Sequence, residues 1–299
     1  MKIVNRDRII YTFSKKHRPV MCVEVGELVI IKTEDAFGGQ IRSEEDSVQT
    51  LDWGKVDGVT GPIFVEGAEP GDTLVAEIVD ITVPRKGVIV TVPEYGVLAD
   101  KSIKPSTKII RINKEHAEFE DFDLRIKPMI GTIGVTPSDG EISCGSLGRH
   151  GGNMDVKEMI SGSKLYLPVF ANGALFAAGD VHVVQADGEL CFSAIEVPGE
   201  ISLKFNVVKG RKPEWPVLET DDSYALLASG ETLDEAAKFA AEAAVEALMR
   251  QHHWPFETAY MFGSLAADLK INQVVDPKKG VRAVISKEFI DLDGLLMRS

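Results

Sequence analysis

The strongest constraint on this chain is its punctuation. From residue 27 to 208 it breaks into short β-rich runs set apart by glycine- and proline-bearing turns: ELVIIKT (27–33), TLVAEIVDITV (73–83), KGVIVTV (86–92), TKIIRIN (107–113), KLYLPVF (164–170), GDVHVVQ (179–185), ELCFSAIEV (189–197) and EISLKFNVV (200–208). The second run follows EPGD (69–72) and alternates Leu74, Ala76, Ile78, Asp80 against Val75, Glu77, Val79, Ile81, as a strand with two distinct faces must. The last three are joined by ADG and PG, which read as hairpin turns. Many short strands of this kind pack as sheets or barrels.

The pattern changes after residue 217. ETLDEAAKFAAEAAVEALMRQ (231–251) is the clearest helix, opened by a capping box of Thr232 and Glu235. Leu233, Ala236, Ala240, Ala244 and Leu248 give it an apolar stripe whose small side chains imply close packing. Pro255 is placed to open a second helix through FETAYMFGSLAAD (256–268); INQVV (271–275) and VRAVIS (281–286) look extended. The expected fold is mainly β with a C-terminal α/β portion: a β-rich region over 1–217 carrying most of the site, and a helix-containing portion over 218–299 packed on it as one compact unit.

Composition limits the function. The 299 residues carry 33 basic against 46 acidic side chains, a net charge of -13, which disfavours a nucleic-acid or anionic-membrane surface. Three cysteines, Cys22, Cys144 and Cys191, cannot build a disulfide framework and fit a reducing interior. Asn5, Arg6, Asp7 and Arg8 interrupt any apolar signal core, and no apolar run is long enough to span a bilayer. A cytoplasmic protein is expected.

The chemistry concentrates in GDVHVVQADGELCFSAIEV (179–197). Asp180 and His182 stand two apart on a strand, so they share a face, as a pair of metal ligands or as an Asp orienting a surface His. Glu196 joins them only in some registers. A two-residue turn would set Asp180 opposite Ile195 and turn Glu196 away; a three-residue loop would set Asp180 opposite Ala194 and bring Glu196 and Phe192 to the site's face. GRHGGNMD (148–155) supplies His150, Asn153 and Asp155 around Gly151 and Gly152, which permit positive φ and close backbone approach. TEDAFGGQI (33–41) places Asp35 after a strand and before another glycine pair. Dinucleotide, P-loop, CxxC and GxSxG signatures are absent from the sequence. Cys144 reads as a buried small hydrophobe or a nucleophile near His150, and His252 and His253 as residues at a helix end rather than a metal tract.

Six blocks in order, GPIFVEGAEPGD (61–72), IGTIGVTP (130–137), HGGNMDVKE (150–158), YLPVFANGALFAAGDVHVVQADGE (166–189), AIE (194–196) and DLKINQVVDP (268–277), make the chain resemble the acetamidase/formamidase family over essentially its whole length. QADGE stands where QGDGE is usual, and DLKINQ where DLRISQ is usual. The resemblance implies a cytoplasmic amidohydrolase of short-chain amides such as formamide or acetamide, a β-rich fold of that family's type, and a homo-oligomer, a dimer or a multiple of it. An amide needs an activated nucleophile, oxyanion stabilisation and a proton for its nitrogen. A divalent metal supplies the first two. Asp35, Asp180, His182 and Asp155 are the candidate ligands; Glu196 and His150 are the candidate catalytic groups; Gly151, Gly152, Asn153 and Phe192 are candidates for substrate binding. Zinc is the first expectation for the metal, with calcium or magnesium if oxygen ligands dominate. The alternatives are a cysteine amidase using Cys144 with His150, and a non-catalytic, metal-stabilised β-sandwich that binds a small ligand.

Overall fold

The computed structural model describes residues 1–101 and 103–298. Among these, two large sheets carry the molecule. One is nine-stranded and holds, from one edge to the other, Lys2–Val4, Leu28–Lys32, Glu200–Val208, Thr73–Thr82, Lys164–Pro168, Val217–Glu219, Ser223–Gly230, Lys279–Ser286 and Ala267–Ile271. The other is twelve-stranded and contains Val59–Val65, Lys86–Thr91, Ser106–Ile112, Met129–Gly134, Gly151–Asn153, Phe176–His182 and Glu196–Val197. The largest apolar core joins Ile31, Leu74, Leu165 and Leu203 of the first sheet to Ile63, Ile133, Phe176 and Val181 of the second. The fold is therefore the packed-sheet arrangement that the alternating runs require.

Helix α1 (Leu233–His252) covers the outer face of the first sheet. Ala236, Ala240, Ala244 and Leu248 pack there with Val217, Leu226, Ala283 and Ile285. The Thr232 side chain accepts the Glu235 N–H at 3.2 Å, so the capping box forms its helix start. Helix α2 (Phe256–Ala266) follows Pro255 and packs beside α1. The sheet runs on across residue 217, so the strands after it extend the same layer. His253 caps α1 in the left-handed region, and His252 stacks on Trp254 with centroids 4.2 Å apart. Among the described residues, no helix is long and apolar enough to cross a membrane.

One expected strand does not form. Of 189–197, only Glu196–Val197 is strand, and the ADG hairpin is absent. Gly188 instead donates its N–H to the Asn272 carbonyl at 2.8 Å and bridges Gln273, which draws the segment toward the C-terminal portion. Glu189 and Phe192 then sit at φ 48 and 90, which a hairpin strand excludes. INQVV (271–275) likewise ends its strand at Ile271.

Candidate active site

The strand Phe176–His182 is buried along its whole length and delivers Asp180 and His182 into the interior of the twelve-stranded sheet. Asp180 takes φ 57 in mid-strand. His182 pairs directly with Glu196, and Val181 with Val197. Glu196 therefore shares the face of His182, reached through the loop 183–195 rather than by either short hairpin.

The imidazole is held from every side. Its Nδ1 lies 2.8 Å from Gln185 Oε1, and Gln185 in turn donates to the Asp155 carbonyl at 2.8 Å. Its Nε2 lies 3.0 Å from Asp180 Oδ1 and 3.0 Å from Glu196 Oε2. One nitrogen carries at most one proton, and that hydrogen bond goes to Asp180, so Glu196 Oε2 has no aligned donor. Both Asp155 oxygens are also buried without a hydrogen-bond partner, with Oδ1 3.9 Å from His182 Nδ1. Thr132 Oγ1 donates to Asn153 Oδ1 at 2.8 Å and reaches Asp180 Oδ2 at 3.3 Å.

Five buried carboxyl groups, Asp155, Asp180, Glu189, Glu196 and Asp276, thus gather round one histidine. Burial pushes Asp155 and Glu196 up to about 7, and neighbouring carboxylates add to it. Burial and the Asp155 charge hold Glu189 and Asp276 well above the carboxylate range. Burial opposes ionisation of Asp180 as well, but the His182 charge and hydrogen bond outweigh it and keep Asp180 low. Burial disfavours the His182 cation too, yet Glu196 and Asp180 raise its pKa well above the usual value. Carboxylates this crowded require protons or a cation.

The ligand atoms of Asp155, Asp180 and His182 lie within 4.8 Å of one another, and so do those of His182, Glu189 and Glu196. With the partnerless oxygens of Asp155, this group of carboxylates and imidazole fits a divalent metal. Three of the four expected ligands are brought together. The fourth, Asp35, is buried nearby and feels the Asp180 charge, but its Oδ1 accepts the Gly39 N–H at 3.0 Å and closes its own loop.

The other expected residues are placed as follows. Asn153 lines the cavity and donates to Asp276 Oδ2 at 2.9 Å. Gly151 and Gly152, at φ 92 and 94, let strands approach closely: a Cβ on Gly151 would meet the Ile133 carbonyl, and one on Gly152 the Ser146 carbonyl. Phe192 lines the cavity with Phe37. His150 does not line the cavity; it lies edge-on to Phe13 at 5.1 Å, with Nε2 buried and unpartnered. Burial, then Lys278, pushes its pKa down to about 4, so the ring is neutral. Cys144 packs with Phe13, Val59 and Ala177, its sulfur 3.6 Å from the Ile10 carbonyl, and burial pushes its thiol far up.

Sequence reasoning missed Asp57, Glu189 and Asp276, all of which line the cavity. Burial, then Asp180 and Asp155, pushes Asp57 up to about 8. Glu189 closes the block that ends in QADGE, and Asp276 is the penultimate residue of DLKINQVVDP; their place in the blocks that carry the family resemblance was the available signal. Asp57 had no comparable marker.

The acetamidase/formamidase family model matches residues 12–143 and 145–288. The chain is 38% identical to a recombinant predicted acetamidase/formamidase of known structure from Thermoanaerobacter tengcongensis, with a TM-score of 0.94 over 98% of both chains. It is 37% identical to an acetamidase structure from Bacillus halodurans, at a TM-score of 0.94 over 96% of this chain and 98% of the other. It is 25% identical to a formamidase of Methylophilus methylotrophus over 73% of this chain and 71% of that one. The chain spans 61% to 71% of the length of the curated relatives it matches. With the family model covering nearly its whole length and the solved folds superimposing end to end, this chain belongs to the acetamidase/formamidase family.

Proposed function

We propose that the protein is a cytoplasmic amidohydrolase that cleaves short linear amides, formamide and acetamide foremost, to carboxylate and ammonia. The observation that carries this reading is a buried His182–Asp180–Glu196–Asp155 group with partnerless oxygens, beside a cavity walled by Phe37 and Phe192. Acids and a histidine supply polar chemistry there, and the aromatic rings favour a small acyl group.

Asp155, Asp180 and His182 would hold a divalent cation, zinc first, with Asp35 as a neighbouring acid. When bound, it supplies Lewis acidity to the amide carbonyl and makes water a stronger acid. Glu196 takes the proton from the attacking water and returns it to the departing nitrogen. The Ala194 N–H donates to Glu196 Oε1 at 2.9 Å, His182 lies 3.0 Å from its other oxygen, and Thr132 and Asn153 fix Asp180 and the far wall. Gly151 and Gly152 act by placing Asn153 and Asp155. His150, neutral and packed on Phe13, stands outside the cavity lining, so this scheme gives it no proton-transfer step.

A homo-oligomer, a dimer or a multiple of it, completes the reading. Phe256, Tyr260, Met261 and Leu265 leave an exposed apolar face on α2 next to the edge strand Ala267–Ile271. Sedimentation that gives only a 32.6 kDa species contradicts this part. The enzymatic part is tested by elemental analysis of purified protein together with ammonia release from a panel of short amides. Bound metal with turnover of formamide or acetamide supports it; metal with no turnover leaves a binding protein; turnover that survives chelation and dies with thiol reagents returns the cysteine mechanism.

A further inference from the structure

The cavity at the site is narrow and partly open to solvent. It measures about 20 Å³, room for roughly one water molecule and too small for formamide. Some wall must move before any amide enters. Eight of its twelve lining residues lie on turns and loops, and of the two large rings among them Phe37 is fully buried while Phe192 is only half-buried. It sits on the turn 189–192, where its N–H donates to the Glu189 carbonyl at 3.1 Å, and it takes φ 90, a conformation bulky side chains rarely adopt.

Two further aromatic rings hold Phe192 in place. Tyr95 lies 4.7 Å from it between centroids, and Trp53 lies 6.3 Å from it. Trp53 and Tyr95 stack on each other at 5.8 Å with their planes 9° apart. The three rings come from three separate segments of the chain, and Phe192 is the one that lines the cavity. Val97 donates to the Leu190 carbonyl at 2.9 Å and fastens the Tyr95 loop to the Phe192 turn. Trp53 and Tyr95 are 43% and 44% exposed, so the stack runs from solvent to the half-buried ring. Large aromatic side chains at the surface need a reason, and bracing Phe192 supplies one.

We propose that Trp53 and Tyr95 are positioning residues that brace Phe192 over the cavity, and that this brace restricts the site to amides with acyl groups of one to three carbons. The inference rests on the amidase reading and adds the residues that set its chain-length limit. Entry of an amide swings Phe192 outward together with the turn that carries Glu189. The stacked pair limits the swing, and each added methylene must displace the ring further. Removal of an outer ring relaxes the limit without touching the acid group.

The test compares kcat/KM for formamide, acetamide, butyramide and hexanamide in the intact protein and in Trp53→Ala, Tyr95→Ala and Trp53→Phe. Both alanine variants are expected to raise the butyramide-to-formamide ratio at least tenfold, mainly through a lower KM for butyramide, and Trp53→Phe to keep the parent ratio. A methylene contact is worth roughly 10–200-fold in such ratios, so the change is measurable. A purely structural role would lower all four substrates in parallel, and an unchanged ratio in folded alanine variants overturns the brace. Should Trp53→Ala fail to fold, Trp53→Leu gives the same reading. If the parent protein turns over none of the four amides, the amidase reading fails. The brace is then judged by fluorescence, with Trp215 and Trp254 replaced by Phe so that Trp53 is the sole indole. A Trp53 emission change with formamide that grows with butyramide supports it, and no response to either overturns it.

Discussion

Gly131 faces Asp180 across the paired strands with no room for a side chain. A Cβ at Gly131 would collide with Asp180 Oδ2 and come within 2.6 Å of Asp155 Oδ1. The two carboxylates occupy the space that any other residue would fill. Gly131→Ala is therefore expected to leave the sheet folded, because the groups in the way are side-chain ends, but to push both acids off their positions. Bound metal and amide turnover should each fall at least tenfold while the far-ultraviolet circular dichroism is retained. A variant with full metal content would show that the two acids are not joint ligands.

Glu196→Gln keeps the shape of the side chain and removes its capacity to carry a proton. With the general acid–base role assigned to it, kcat should fall by about 10²–10⁴. Metal content should stay near the parent value, since Asp155, Asp180 and His182 remain. Asp180→Ala, by contrast, should lose both. Equal loss of metal in the two variants would move Glu196 into the ligand set.

How much of this was legible beforehand depends on the distance over which each feature is decided. The strand Glu200–Val208 and helix α1 were readable because alternation and capping are local. The segment 183–195 was not, because its course is set by Gly188 pairing with residues 272 and 273 far along the chain. The shared face of Glu196 and His182 followed from the parity of the register, and neither hairpin considered gives the observed pairing. Asp180 and His182 were visible as an i, i+2 pair, whereas Asp57 and Asp276 enter from loops whose convergence no local pattern encodes. The left-handed φ of Asp180 was also invisible, since Asp tolerates that region without announcing it.

His150 sets an expectation for acid stability. Burial, then Lys278, lowers its folded pKa from the usual 6.5 to about 4. The unfolded chain therefore binds the proton first as pH falls. The stability tied to the neutral ring is complete above pH 6.5 and is lost progressively down to about pH 4; at 1.36 kcal/mol per unit this is about 3 kcal/mol. Urea midpoints measured from pH 7 to 4 should fall less steeply in His150→Phe than in the parent. Identical slopes would mean that the ring takes up a proton in the folded protein at its ordinary pKa.

Cys144→Ala should retain most of the amidase activity. The thiol is fully buried in an apolar cluster, and burial raises its pKa, the opposite of what a nucleophile requires. The cost should appear as stability, about 1 kcal/mol from the lost packing. Loss of turnover at unchanged folding and metal content would restore the cysteine mechanism.

Arg282, on the strand next to the edge of the nine-stranded sheet, links that sheet to the loop that carries Glu189. Its side chain is 1% exposed, and its guanidinium donates to Asp187 Oδ1 at 2.7 Å, Glu158 Oε1 at 3.1 Å and Asn272 Oδ1 at 2.9 Å. Asp187 also pairs with Lys157 at 2.8 Å. Arg282→Met would leave two acids beside a buried apolar stem. Breaking a fully buried pair costs about 3–5 kcal/mol, but Asp187 and Glu158 keep contact with solvent, so about 2–3 kcal/mol is expected. The site should suffer as well, because Asp187 lies two residues before Glu189 and one before the Gly188–Gln273 bridge. KM for amides should therefore rise along with the fall in the urea midpoint. Arg282→Lys should restore part of the stability, since its single ammonium can reach Asp187 but cannot serve Asn272 and Glu158 together. A methionine variant with parent stability and parent KM would show that the cation network is surface decoration and that the 183–195 loop is held by its backbone bonds alone.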